Sequence, residues 1–258
     1  MDQTNSFRRI IENGGAVLGA SASTFSPNLV ELYGELGLDF VWLDFEHHGP
    51  SPWNSHVFEN LARAAEVSGT ELFVRIPGSD PALIRKLLDT GVRNILIPRI
   101  DTATEVRACV EASRYVYQNE PGERGNATAR SNTWRNVERY LETEDEEVCI
   151  GVMIEKTTAI DNLGEILSVP DLGFAFIGPS DLSVQMGYPS DRNHPEVEQQ
   201  IVDVKDACNA AGVPVGCIQS DPDAASEALN NGYQIIRIAS EFGSVQTTVR
   251  DRLNQIER

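Results

Sequence analysis

The chain has 258 residues, 41% of them hydrophobic, which is enough for a sizeable core and within the usual span of one α/β barrel. It carries 39 acidic and 21 basic side chains, a formal charge of −18, which argues against nucleic acid and anionic membrane surfaces as partners. No apolar run approaches the roughly 18 residues of a membrane span, and the N-terminal MDQTNSFRRIIENGG has no apolar signal core, so a cytoplasmic location is expected.

Short apolar runs alternate with amphipathic stretches along the whole chain. AVLGA (16–20) reads as the first strand, and a helix is predicted over 27–36 with Ser26 as its cap. FVWLD (40–44) and LFVRI (72–76) follow as strands. Asp80 is placed to cap a helix over 81–90, with Pro81 at its first position. NILIP (94–98) precedes a helix over 102–115, and CIGVMIE (149–155) precedes one over 157–167. FAFIG (174–178), a helix over 195–211, VPVGCI (213–218), a helix over 222–230, IIRIA (235–239) and a helix over 242–256 complete the series. Gly14, Gly37, Gly91, Gly212 and Gly232 stand where helices should end or strands begin. The strand runs are apolar on both faces, as buried parallel strands are.

Repeated βα units of roughly 30 residues imply a parallel sheet, and eight of them imply closure into a single (β/α)₈ TIM barrel spanning residues 1–258. An open doubly wound sheet is the alternative, but no GxGxxG follows the first strand. About 50 residues separate the fourth and fifth strands, including YQNEPGERGNATARSNTWRN, and a connection that long is expected to be functional, on the side where barrel active sites form.

Only Lys86, Lys156 and Lys205 among the basic residues are lysines; the others are arginines. An acid excess with so few lysines resembles cytosolic proteins of salt-accumulating halophiles, in which molar salt cuts the screening length to about 3 Å. Cys109, Cys149, Cys208 and Cys217 form no CxxC pair and read as reduced core residues.

Polar residues at strand C-termini carry the chemistry in a barrel. The second strand runs into Asp44-Phe45-Glu46-His47-His48, the third ends near Arg75, the fifth at Glu155, and the sixth at Gly178-Pro179-Ser180-Asp181. Adjacent strands lie about 4.8 Å apart, so Glu155 and Asp181 can reach one point. Two carboxylates completed by substrate and water oxygens suit a hard octahedral cation, although each could instead cap a helix. Arg75 could fix a carboxylate or stabilise an enolate oxygen, or could be an ion-pair partner of Asp44 or Glu46. His47 could serve as a general base.

The segments LDFEHHGPS, VRIPGSDPALIRKLLDTGVRNILIPRI, ERGNATARSNTWRN, VMIEKTTAIDNL and FIGPSDLSVQMGYP, with HPEV after them, resemble the HpcH/HpaI family of class II pyruvate aldolases. That family includes the 2,4-dihydroxyhept-2-ene-1,7-dioate and 2-keto-3-deoxy-sugar-acid aldolases, and the resemblance runs in order from about residue 10 to 250. It implies the phosphoenolpyruvate/pyruvate-type barrel superfamily and a divalent cation (Mg²⁺, Mn²⁺ or Co²⁺) held by Glu155 and Asp181. It further implies a pyruvyl-binding Arg75, a catalytic His47 partnered by Asp89, and a turn of Gly178, Pro179 and Ser180 whose backbone receives the pyruvate carboxylate.

The implied reaction cleaves a 4-hydroxy-2-oxo acid to pyruvate and an aldehyde through a pyruvate enolate. The resemblance also implies a homohexamer with small-molecule oxo-acid and aldehyde partners; exchange of the C-terminal helix between subunits is a further expectation. Asp89 falls late in the helix after the third strand, which runs away from the catalytic face, so it is expected to reach His47 of a neighbouring subunit. Three departures stand out: Met153 occupies the usual Gln position, the first strand lacks the usual aromatic near Val17, and the aldehyde-side loop YVYQNEPGERGNAT is atypical. Alternatives are a citramalyl- or malyl-CoA lyase, a Schiff-base aldolase using Lys156, and a non-catalytic oxo-acid-binding barrel.

Overall fold

The computed structural model describes residues 4–116, 122–127, 129–130, 140–189 and 191–256. Eight parallel strands close into one barrel in sequence order: β1 (Val17–Ser21), β2 (Phe40–Asp44), β3 (Glu71–Arg75), β4 (Asn94–Ile97), β5 (Cys149–Ile154), β6 (Leu172–Ile177), β7 (Val215–Ile218) and β8 (Ile235–Ser240). The described helices are α1 (Ser6–Glu12), α2 (Pro27–Glu35), α3 (Ser55–Ser68), α4 (Pro81–Thr90), α5 (Ala103–Ser113), α6 (Tyr140–Glu147), α7 (Thr157–Asp161), α8 (Leu163–Leu167), α9 (Pro179–Gln185), α10 (Pro195–Ala211), α11 (Pro222–Asn230) and α12 (Glu241–Asn254). The expected fold is therefore the observed one, strand for strand.

Strand side chains alternate between two cores. One set, including Val41, Leu43, Val74, Ile95 and Ile97, packs outward against Leu83, Ile84 and Leu87 of α4 and their equivalents on other helices. The other set fills the barrel: Val17, Phe40, Trp42, Phe73, Leu96, Cys149, Met153, Phe174, Phe176 and Ile235. Large rings fit inside because glycines face them, and a β-carbon at Gly151 would collide with the Phe174 ring. Helix α1 stoppers the N-terminal end of the barrel, where Phe7 touches Phe40, Phe73 and Phe174 with ring centroids 5.5 to 5.7 Å apart.

This alternation determines what reaches the open end. Phe40 and Trp42 are followed at the same parity by Asp44, Phe73 by Arg75, Met153 by Glu155, and Ile235 by Arg237. The apolar middle of the barrel thus carries the polar groups of the open end above it, while at the closed end Asn94 accepts from the side-chain amide of Asn5 at 2.7 Å.

Several local expectations need correcting. Helix α3 occupies a stretch where no helix was expected. The helix expected over 157–167 is two, broken at Asn162, whose side-chain amide donates to the Asp101 carbonyl at 2.9 Å. Ser26 sits at the N-cap of α2 but makes no side-chain cap bond, whereas Asp80 accepts from the amides of Ala82 and Leu83 as expected.

The described parts of the long connection lie at the other end of the barrel from the one expected. Helix α5 begins a few residues after β4 and runs back along the barrel, so the chain from Arg114 onward starts at the face opposite the catalytic one. Its described parts pack there: the amide of Glu123 donates to the Glu111 carbonyl at 2.8 Å, and the amide of Tyr115 to the Asp145 carboxylate at 3.0 Å. Residues 117–121, 128 and 131–139 of the connection lie outside the described residues.

All four cysteines are buried and free, and burial pushes each thiol up to about 12. No described helix is long and apolar enough to cross a membrane.

Candidate active site at the open end of the barrel

Glu155 leaves the end of β5 as a buried carboxylate, only 3% exposed. Its Oε1 accepts the backbone N–H of Arg99 at 2.8 Å. Arg99 supplies that donor from a left-handed backbone, φ 58°, an uncommon conformation for a non-glycine residue that is held here by its carboxylate contact. Oε2 faces Gly178, where an added β-carbon would stand 2.8 Å from it, so the close approach of β6 to β5 requires glycine. Burial pushes the Glu155 carboxyl up to about 7; the nearby Asp181 and Glu46 carboxylates add to the rise, while the Arg99 amide and Arg75 oppose it.

Asp181 stands exposed in the first turn of α9, three residues past the buried Gly178. Of the turn expected to bind a carboxylate, Pro179 has no N–H, and the Gly178 amide is already given to the Ile154 carbonyl at 3.0 Å. Ser180, at the second helical position, is the member whose amide has no acceptor within the helix.

Arg75 is anchored by Asp44: Nε donates to Oδ1 at 2.9 Å and Nη2 to Oδ2 at 2.6 Å. Its remaining terminal nitrogen lies 3.1 Å from Glu46 and 3.6 Å from the Met153 sulfur. Glu46 is near enough to attract that nitrogen but not aligned to accept from it, and its Oε2 is buried without a hydrogen-bond partner. Burial alone would raise the Asp44 carboxyl, but the hydrogen bonds and charge of Arg75 hold it below the ordinary range. Burial raises the Glu46 carboxyl, with Asp44 and Asp181 adding to it against Arg75 and His47.

His47 is exposed at the rim, its Nε2 3.5 Å from Glu46, and His48 rests on Asp44 at 3.3 Å. Asp89 is elsewhere. It closes α4 shortly before β4 begins, at the opposite end of the barrel from His47, and pairs with Arg124 at 3.7 Å. The structure thus brings together Glu155, Asp181, Arg75, His47 and the Gly178 turn, and leaves Asp89 outside. Lys156, the candidate for a Schiff base, is paired with Asp101.

Two contributors were not foreseen in these roles. Met153 packs beneath Arg75, and Arg237 on β8 enters the same mouth, donating to the Ser21 hydroxyl at 2.6 Å. Arg237 sits within the apolar run IIRIA, and its contacts are far away in sequence, so only the alternation of β8 could have indicated it.

The donor set fits a hard divalent cation. Three carboxylates (Glu46, Asp181 and Glu155) influence one another around a single paired arginine, leaving an excess of negative charge that a cation would balance. No group of three or more ligating side chains occurs among the described residues. Glu155 and Asp181 would therefore be the protein's share, with oxygens of substrate and water supplying the rest.

The HpcH/HpaI aldolase/citrate lyase family matches residues 21–247. A 2-keto-3-deoxy-L-rhamnonate aldolase from Escherichia coli O157:H7 is 33% identical over 235 residues, covering 91% of this chain and 86% of that protein. An HpcH/HpaI aldolase/citrate lyase family protein from Burkholderia cenocepacia J2315 superposes with a TM-score of 0.90 at 28% identity, covering 98% of this chain and 99% of the other. An HpcH/HpaI aldolase from Desulfitobacterium hafniense DCB-2 superposes at 0.88 with 25% identity, covering 97% of each chain.

Proposed function

This chain belongs to the HpcH/HpaI aldolase/citrate lyase family, and we propose that it is a divalent-metal-dependent pyruvate aldolase, cleaving a 4-hydroxy-2-oxo acid to pyruvate and an aldehyde. The observation that carries this reading is the buried Glu155, fixed by the Arg99 amide and coupled to Asp181 across the Gly178 turn, with the Asp44-anchored Arg75 in the same mouth.

Glu155 and Asp181 would hold the cation, which when bound would supply Lewis-acid polarisation of the oxo carbonyl. Arg75 presents its third nitrogen where negative charge develops on the oxo oxygen, and Asp44 keeps that nitrogen in place. The Ser180 amide, at a helix N-terminus, receives the carboxylate. His47 takes the proton of the C4 hydroxyl, directly or through water. The C3–C4 bond then breaks, its electron pair forms the enolate, and the aldehyde departs. Return of a proton to C3 gives pyruvate, so the step is redox-neutral.

The acyl-CoA lyase alternative is not favoured. The curated relatives are sugar-acid aldolases, and a chain with three lysines offers little to CoA phosphates. A coupled pyruvate-release assay over a panel of 2-keto-3-deoxy acids and 4-hydroxy-2-oxo dicarboxylates, with Mg²⁺ or Mn²⁺ and molar KCl, tests the reading; no release with any of them would refute it.

The active unit is a homo-oligomer, a hexamer as the family resemblance implies, in which Asp89 serves His47 of a neighbouring subunit. Their separation within one chain motivates this. The C-terminal helix α12 adds a second argument: Phe242, Val245, Val249, Leu253 and Ile256 are all exposed, at the helical spacing that makes one apolar stripe. Each chain forms one barrel, and α12 covers its stripe against a neighbour.

A further inference from the structure

The mouth of the barrel holds a second guanidinium that the reaction above does not use. Arg237 and Arg75 both stand over the Trp42 indole, their Cζ atoms 5.9 and 5.7 Å from its centroid. Asp44 and Glu46 answer the charge of Arg75. Among carboxylates, Arg237 feels only the more distant charge of Asp44. One terminal nitrogen donates to Ser21, Nε is buried without a hydrogen-bond partner, and no described carboxylate pairs with it. Leaving a cation largely desolvated and unpaired is costly, all the more telling in a chain with 39 acidic residues.

The space beside it is small and polar on one wall. A cavity of about 140 Å³ is bounded by Ser21, Trp42, Asp44, His48, Arg75 and Arg237, among others, and the Asp44 carboxylate on its wall is already occupied by Arg75. The cavity is large enough for a carboxylate on a short carbon arm. Burial, and after it the charge of Arg75, draws the Arg237 pKa below its ordinary value, which is the direction an added anion would reverse.

We propose that Arg237, together with the Ser21 hydroxyl, binds a second carboxylate of the substrate, so that the enzyme selects dianionic oxo acids over those with an uncharged polyhydroxy tail. This rests on the aldolase reading and narrows its substrate class. The guanidinium fork suits a carboxylate in two-point contact, and Ser21 already fixes one of its nitrogens.

The test compares 2-oxoglutarate with 2-oxopentanoate, which has a methyl group in place of the second carboxylate. Binding of each to the Mg²⁺-loaded protein is measured by calorimetry at fixed ionic strength. The unmodified protein should bind the dianion at least about tenfold more tightly. Arg237→Gln should shrink that ratio to within about threefold, and Arg237→Lys, which keeps the charge without the fork, should fall between the two. Equal affinities in the unmodified protein, or an unchanged ratio in a folded variant, would overturn the proposal; the first comparison stands even where a variant fails to fold. Exchange of pyruvate methyl protons with D₂O by the Mg²⁺-loaded protein reads the aldolase assignment separately. Exchange without dianion preference removes the Arg237 proposal alone, and dianion preference without exchange removes the aldolase reading alone.

Discussion

Arg75 and Asp44 meet fork to carboxylate, with both Asp44 oxygens bonded at 2.9 and 2.6 Å. Asp44 therefore decides where the third guanidinium nitrogen points. Arg75→Lys keeps the charge but cannot be held in two-point contact, and kcat should fall about 10²- to 10³-fold, the usual cost of losing one preorganised donor. Asp44→Asn should lower kcat more than it raises KM, because Arg75 is then free to turn toward Glu46. Steady-state kinetics at saturating Mg²⁺ decide this, and an Arg75→Lys enzyme within twofold of the parent would contradict it.

Metal dependence follows from the converging carboxylates. Chelation with EDTA should abolish activity, and Mg²⁺, Mn²⁺ or Co²⁺ should restore it. Glu155→Gln and Asp181→Asn should fail to recover. At a hundred times Kd the cation should stabilise the fold by about 2.7 kcal/mol, visible as a rise in Tm that the two variants lack. Full activity of either variant in chelator would sink the assignment.

The oligomer prediction is tested by mixing. His47→Ala and Asp89→Ala should each be inactive alone. After dissociation and reassembly together, some boundaries regain an intact pair, and part of the activity should return. Val249→Asp, placed in the exposed stripe of α12, should drive the protein toward smaller species by light scattering. An active monomer would end the shared-site hypothesis.

The barrel was legible in the sequence because its strands are buried on both faces and cannot be read as anything but apolar runs. Helix α3 was missed because its buried face is largely alanine (Ala62, Ala64 and Ala65 beside Phe58 and Leu61), leaving a weak stripe of large side chains. The site was legible wherever chemistry sits at a strand end, as with Glu155, Arg75 and the Gly178 turn. It was not legible where partners are remote: nothing local to Arg237 announces Ser21, and nothing local to Glu155 announces the amide of Arg99. The described parts of the long connection lie on the face opposite the expected one because the count from strand to strand ignores how far α5 carries the chain back.

Salt should stabilise this protein. With a formal charge of −18, self-repulsion is strong at low ionic strength and is screened within about 3 Å at 1 M salt. Tm should climb from 0.05 to about 2 M KCl, and a flat or falling curve would remove the halophile reading.

Asp145 gives a pH signature away from the active site. Burial pushes its carboxyl up to about 6, against the hydrogen bonds it accepts from the Tyr115 amide and the charges of Arg114 and Arg124. A folded pKa above the unfolded value means that the fold binds the extra proton, so its contribution favours the folded state below about pH 4 and is lost as pH rises through about 6. Asp145→Asn keeps an acceptor oxygen and cannot ionise. It should gain stability relative to the parent across that window, by of order 2 kcal/mol at pH 7, measured by urea unfolding. A difference that stays constant between pH 4 and 7 would show that the group does not titrate there.

Phe7 closes the floor of the barrel against Phe40, Phe73 and Phe174, and side chains fill the interior above it as far as Trp42 and Met153. The barrel is a plug and not a passage. Whatever reaches Glu155 and Arg75 must therefore come and go by the face on which they stand, and in the proposed cleavage both products share it.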